Sequence, residues 1–119
     1  ALFERGWGDV TVSAFEALED YVGKEFDYVL ERVDNDFFFK PYIYFKKGNA
    51  LELADEDIKA IRSYQNAINA NPSFVQGYIA LSKVYQEMDE EKKAKNVLSL
   101  GLEHNPESKV LKNHMNAVQ

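Results

Sequence analysis

With 119 residues, 45% of them apolar, the chain can bury one small core and has no room for a second large domain. The absence of cysteine excludes disulfides, thiolate metal sites and cysteine nucleophiles. The net charge of −6 sits entirely in residues 1–40, where ten acids face four bases; this segment would repel a phosphate backbone, so nucleic acid is not an expected partner.

The start, Ala1-Leu2-Phe3-Glu4, has neither an initiator methionine nor a basic-then-apolar leader, which reads as an excised domain or a matured product. Gly6 to Asp9 are turn-prone, and Ser13 can cap a helix running to about Val33. Phe15, Leu18, Val22, Phe26, Val29 and Val33 recur every three or four residues, which makes one apolar stripe in need of a partner. Gly23 within that stripe predicts a bend or a close backbone approach. Asp34-Asn35-Asp36 ends the helix, and at least one of Phe37, Phe38 and Phe39 is expected to pack beneath it. The apolar run from Phe37 to Phe45 is interrupted by Lys40 and Pro41, so no membrane span is expected. A soluble chain follows, with the compartment open and the cytoplasm slightly favoured.

Pro41 suits a first helical turn, where its missing N–H would have no acceptor, and the helix should run to Leu53. Asp55 is expected to cap the next helix, with Glu56 and Asp57 at its amino end and Ile58, Ile61, Tyr64 and Ile68 on its apolar face. Asn71-Pro72-Ser73 breaks that helix near Ala70. Two more are predicted near 74–87 and 90–104, and Asn105-Pro106 breaks the chain again. Val110, Leu111, His114, Met115 and Val118 then mark a last helix that would cap the stack.

A shift of 34 residues lays Tyr44, Gly48, Leu51, Ala60, Tyr64, Ala67, Asn71 and Pro72 on Tyr78, Ser82, Tyr85, Ala94, Leu98, Gly101, Asn105 and Pro106. The acidic triplets Asp55-Glu56-Asp57 and Asp89-Glu90-Glu91 fall in the same register. These residues resemble the tetratricopeptide repeat (TPR) family. The departures are Lys47, Leu51, Leu98 and Gly101, where the family has leucine, tyrosine, an aromatic and alanine. The resemblance implies an all-α fold of antiparallel helix-turn-helix repeats stacked as a short right-handed superhelix, with an extra N-terminal helix. Residues 41–74 and 75–108 would be the repeats, 109–119 a capping helix, and 1–40 a leading helical segment that the signature does not match.

The signature residues are packing residues and specify a fold, not a function. What the resemblance implies for function is a concave surface lined by the first helix of each repeat. Here that surface would present Tyr42, Phe45, Asn49, Gln76, Ile79, Lys83, Gln86, Val110 and Asn113. The expected role is a non-catalytic protein-protein interaction module, a scaffold or adaptor binding a peptide or helix of a partner. The alternative is a structural or self-assembly domain in which the leading segment fills the groove or swaps between protomers to give a homodimer. A related reading has the leading helix covering Tyr42 and Phe45. The family's clamp for chaperone tails grips a terminal carboxylate with basic and asparagine side chains. Of its pattern only Asn49 is present; Phe45, Ala80, Val110 and His114 stand at its other positions, so chaperone-tail binding is not expected.

His104 and His114, with Glu103 and Glu107 nearby, are the candidates for metal or acid-base work. Their positions fit a helix end and an apolar stripe better than a site. The acidic clusters at 34–36, 55–57 and 89–91 lack the spacing of a calcium loop and read as caps and turns. No enzyme activity, metal or cofactor is expected.

Overall fold

A computed structural model describes residues 23–28, 30, 31 and 39–118 of the chain. Among these the fold is all-α. Residues 23–28, 30 and 31 are helical, and five bounded helices follow: α1 Lys40–Leu53, α2 Asp57–Ala70, α3 Val75–Glu87, α4 Glu91–His104 and α5 Lys109–Val118. None is long and apolar enough to cross a membrane.

Local chemistry accounts for the boundaries. Pro41 lies in the first turn of α1, where a proline costs no hydrogen bond. At the other end of α1, Asp55 adopts a left-handed conformation (φ 63°). The Glu56 amide donates to the Leu51 carbonyl at 2.8 Å and the Asp55 amide to that of Glu52 at 2.9 Å, the paired bonds of a Schellman turn. The same turn recurs at the end of α3. There Asp89 has φ 60°, and the amides of Glu90 and Asp89 donate to Tyr85 and Gln86 at 2.8 and 3.0 Å. Asp55 is therefore not the cap of α2; that position belongs to Glu56, with no side-chain cap bond. Aspartate serves both roles, and the left-handed one prevails because the hairpin must reverse within three residues. Ser108 does cap α5, its hydroxyl accepting from the Leu111 amide at 3.3 Å.

α1 packs on α2 and α3 on α4, α2 and α3 join the two pairs, and α5 lies on α4. The core runs through all of them, with Tyr64, Tyr78, Val84, Leu98 and Leu111 fully buried. Two glycines allow the helices to approach. A Cβ on Gly48 would fall 2.7 and 2.8 Å from Cδ1 and Cζ of Tyr64, and one on Gly101 would fall 2.9 Å from Cγ of Tyr78. Asparagines secure the loops: Asn71 Oδ1 accepts from the Ser73 amide at 3.0 Å, and Asn105 Nδ2 donates to the carbonyls of Gly101 and Pro72 at 3.0 and 3.3 Å.

Three other expectations need correction or lie elsewhere. Ile58 is 58% exposed, because it lies about 120° around the axis of α2 from Tyr64. Gly23 is helical, and nothing lies within 4 Å of where its Cβ would be, so no close approach requires it. Ser13, the three-residue run 34–36, Phe37, Phe38 and the stripe residues other than Phe26 lie outside the described residues, as does most of the helix expected over 13–33. Phe39 is described and is half exposed.

Candidate functional site

Between α1 and α3 an open groove of about 320 Å³ is lined by Phe45, Asn49 and Glu52 from one helix and Gln76, Ile79, Ala80, Lys83 and Glu87 from the other. These positions face one another because each helix offers them at steps of three or four residues. Phe45 anchors one wall. Its ring lies 6.0 Å from that of Tyr64 and meets Phe74 edge-on at 5.6 Å, so it stands half-buried on the core.

Beneath the groove Tyr64 joins two of its side chains. The phenol oxygen lies 2.5 Å from Glu52 Oε2 and 2.7 Å from Asn49 Oδ1. A phenol has one proton. When Glu52 is ionised that proton goes to the carboxylate, and Asn49 completes the network by a half-turn of its amide that lets Nδ2 donate to the phenol oxygen. When Glu52 is protonated it donates to Tyr64, which then donates to Asn49 Oδ1. Desolvation raises the Glu52 carboxyl above its ordinary range against the opposing effect of the Tyr64 hydrogen bond, with Glu87 and Asp57 adding to the rise and Lys83 opposing it. Burial drives Tyr64 well above the ordinary tyrosine range, reinforced by its bond to Glu52.

Of the nine residues expected on the binding surface, Phe45, Asn49, Gln76, Ile79 and Lys83 come together in this groove. Tyr42 stands beside it, 45% exposed, its ring 6.2 Å from Phe45 and under Lys46 Nζ at 5.3 Å. Gln86, Val110 and Asn113 are not among its lining residues. Ala80, expected only as a departure from the clamp pattern, lines it too, and Glu52 and Glu87 were not expected there. Glu52 and Glu87 are one helical turn beyond Asn49 and Lys83, so extending the same periodicity would have found them.

A second cavity, of about 370 Å³, brings Gly23, Lys24 and Asp27 against Lys47, Leu51, Lys59, Arg62, Ser63 and Asn66. It shares no residue with the groove. Lys47 bonds Asp27 at 2.7 Å across it, so this described part of the leading segment lies against α1 and α2 away from Phe45. His104 is exposed in the last turn of α4 and His114 is half-buried on α5. Among the described residues no three histidine, aspartate or glutamate side chains gather to hold a metal.

No family model matches the sequence, and no curated protein does. A solved structure does match: the first TPR of Spaghetti (RPAP3), bound to the HSP90 peptide SRMEEVD. It aligns with a TM-score of 0.60 over 97% of this chain and 87% of that one, at 16% identity. Identity that low makes the likeness one of fold. The chain has the tetratricopeptide-repeat fold, and the match extends beyond residues 41–108, where the sequence signature lies.

Proposed function

We propose that the chain is a non-catalytic protein-protein interaction module, a scaffold or adaptor whose α1–α3 groove takes a peptide or helix of a partner. In this reading residues 41–74 and 75–108 are its two repeats and 109–119 their cap. One observation carries the proposal: Phe45, Ile79 and Ala80 form a partly exposed apolar wall, and no described part of the chain fills the space in front of them. The Spaghetti domain, with the same fold, was solved with a peptide bound. Phe45, Asn49, Gln76, Ile79 and Lys83 would make the contacts, with Tyr42 at the edge and Gln86, Val110 and Asn113 peripheral.

The test starts from peptides selected on the intact protein from a display library. Ala80→Arg fills the groove without removing a core contact, so it should abolish their binding while leaving helical content unchanged. Peptides that bind this variant as well as the parent would sink the groove reading. The HSP90 peptide itself should not bind. Phe45 and Ala80 offer no donor to its carboxylates, and in the groove the carboxylates of Glu52 and Glu87 outnumber the single cation, Lys83. Calorimetric titration with SRMEEVD should show no heat of binding, and micromolar affinity lost on Asn49→Ala would overturn that expectation.

A further inference from the structure

We propose that the groove selects a peptide carrying a lysine or arginine next to an apolar side chain, the cation seated between Glu52 and Glu87 and the apolar group against Phe45 and Ile79. This rests on the groove reading above and specifies the chemistry of its ligand. Glu52 on α1 and Glu87 on α3 line the same space from opposite walls. Among the described residues neither is in an ion pair, and Lys83, one turn before Glu87 and lining the same groove, bridges to neither. Glu52 is half-buried, and its one hydrogen-bond partner is the phenol of Tyr64.

The half-buried carboxylate of Glu52 is repelled by Glu87 on the exposed facing wall, and a cation placed beside both relieves that repulsion while donating to Glu52. The groove thus favours ligands rich in donors and rejects acidic ones, for which Glu52 and Glu87 are like charges; SRMEEVD falls among the rejected in spite of its Arg-Met pair, because two glutamates and a terminal aspartate follow that pair. The same balance disfavours the chain's own leading segment as occupant, since its ten acids outnumber four bases. The apolar wall fixes where the neighbouring side chain goes. About 320 Å³ accommodates one or two side chains, not a whole peptide.

The experiment titrates the isotope-labelled full chain with three acetylated, amidated peptides that differ only in a central Leu-Lys, Leu-Gln or Leu-Glu pair. Amide shifts at Gln76, Ile79 and Ala80 are followed. The Leu-Lys peptide should bind about tenfold tighter than Leu-Gln, as one charge-assisted bond implies, and Leu-Glu should bind weakest. A variant carrying Glu52→Gln and Glu87→Gln should lose the preference for Leu-Lys over Leu-Gln while still shifting Ile79. Groove shifts without a lysine preference, or a preference that survives in the double variant, overturn this inference alone. No groove shift with any of the three overturns the groove reading as well.

Discussion

Tyr64 shows how a single side chain can serve both core and surface. Its ring fits against α1 only because residue 48 is glycine, and its hydroxyl reaches past the core to Glu52 and Asn49 in the groove wall. The 34-residue shift marks Tyr64 as a packing residue, yet nothing in the shift tells of the polar end, because its counterpart Leu98 has none. A pH effect follows from this site. Glu52 is raised above its ordinary value of 4.5 chiefly by desolvation, so the folded state holds its proton more tightly than the unfolded state does. The stabilisation is complete below the unfolded value and is lost as pH rises through the folded one. Relative to Glu52→Gln, which keeps an acceptor for Tyr64, the parent should lose stability as pH climbs above 4.5 and then level off. Urea unfolding of both proteins across that range checks this; a gap that stays constant would mean that desolvation does not dominate at Glu52.

At the scale of elements, most helices and their breaks were legible, because proline, asparagine and apolar spacing each have a local cause. The hairpin turn was misread for an equally local reason. Aspartate is favoured both at helix amino caps and in left-handed turns, so Asp55 and Asp89 fit either role until the backbone is seen. Their recurrence 34 residues apart fixes the register of the turn but not its geometry. Ile58 misleads in a similar way: it falls three residues before Ile61, but Tyr64 and Ala67 draw the buried arc to the other side. Because both aspartates occupy a conformation that glycine adopts without penalty, Asp55→Gly and Asp89→Gly should each stabilise the fold by up to about 1 kcal/mol. Thermal melts will show it, and a lowered melting temperature in both variants would mean that the carboxylates contribute a bond not seen here.

At the scale of the whole molecule, stacking decides stability, since each helix pair buries its apolar face on the next. Leu111 closes the series, fully buried from a helix of only ten residues. Leu111→Ala should cost about 2–5 kcal/mol, whereas Val110→Ala next to it, half exposed, should stay within about 0.5 kcal/mol. Equal urea midpoints for the two variants would show that α5 is dispensable to the stack. The groove was legible at this scale wherever the first-helix positions recur in register, as with Phe45 and Ile79. Its acidic end was legible only as two separate positions: helical periodicity puts Glu52 and Glu87 on the same faces as Asn49 and Lys83, but the two do not recur at the 34-residue shift and meet only once α1 and α3 stand side by side.

The carbonyl of Pro72 has a consequence for how this stack comes apart. Repeat arrays can melt stepwise from a free end, one unit at a time. Here one loop oxygen of the first pair accepts from the Tyr78 hydroxyl at 2.7 Å and from Asn105 Nδ2 at 3.3 Å, at the start and just past the end of the second. Fraying the α3–α4 pair would therefore take both bonds from the loop that ends α2, a coupling that favours one shared melting transition over stepwise unzipping.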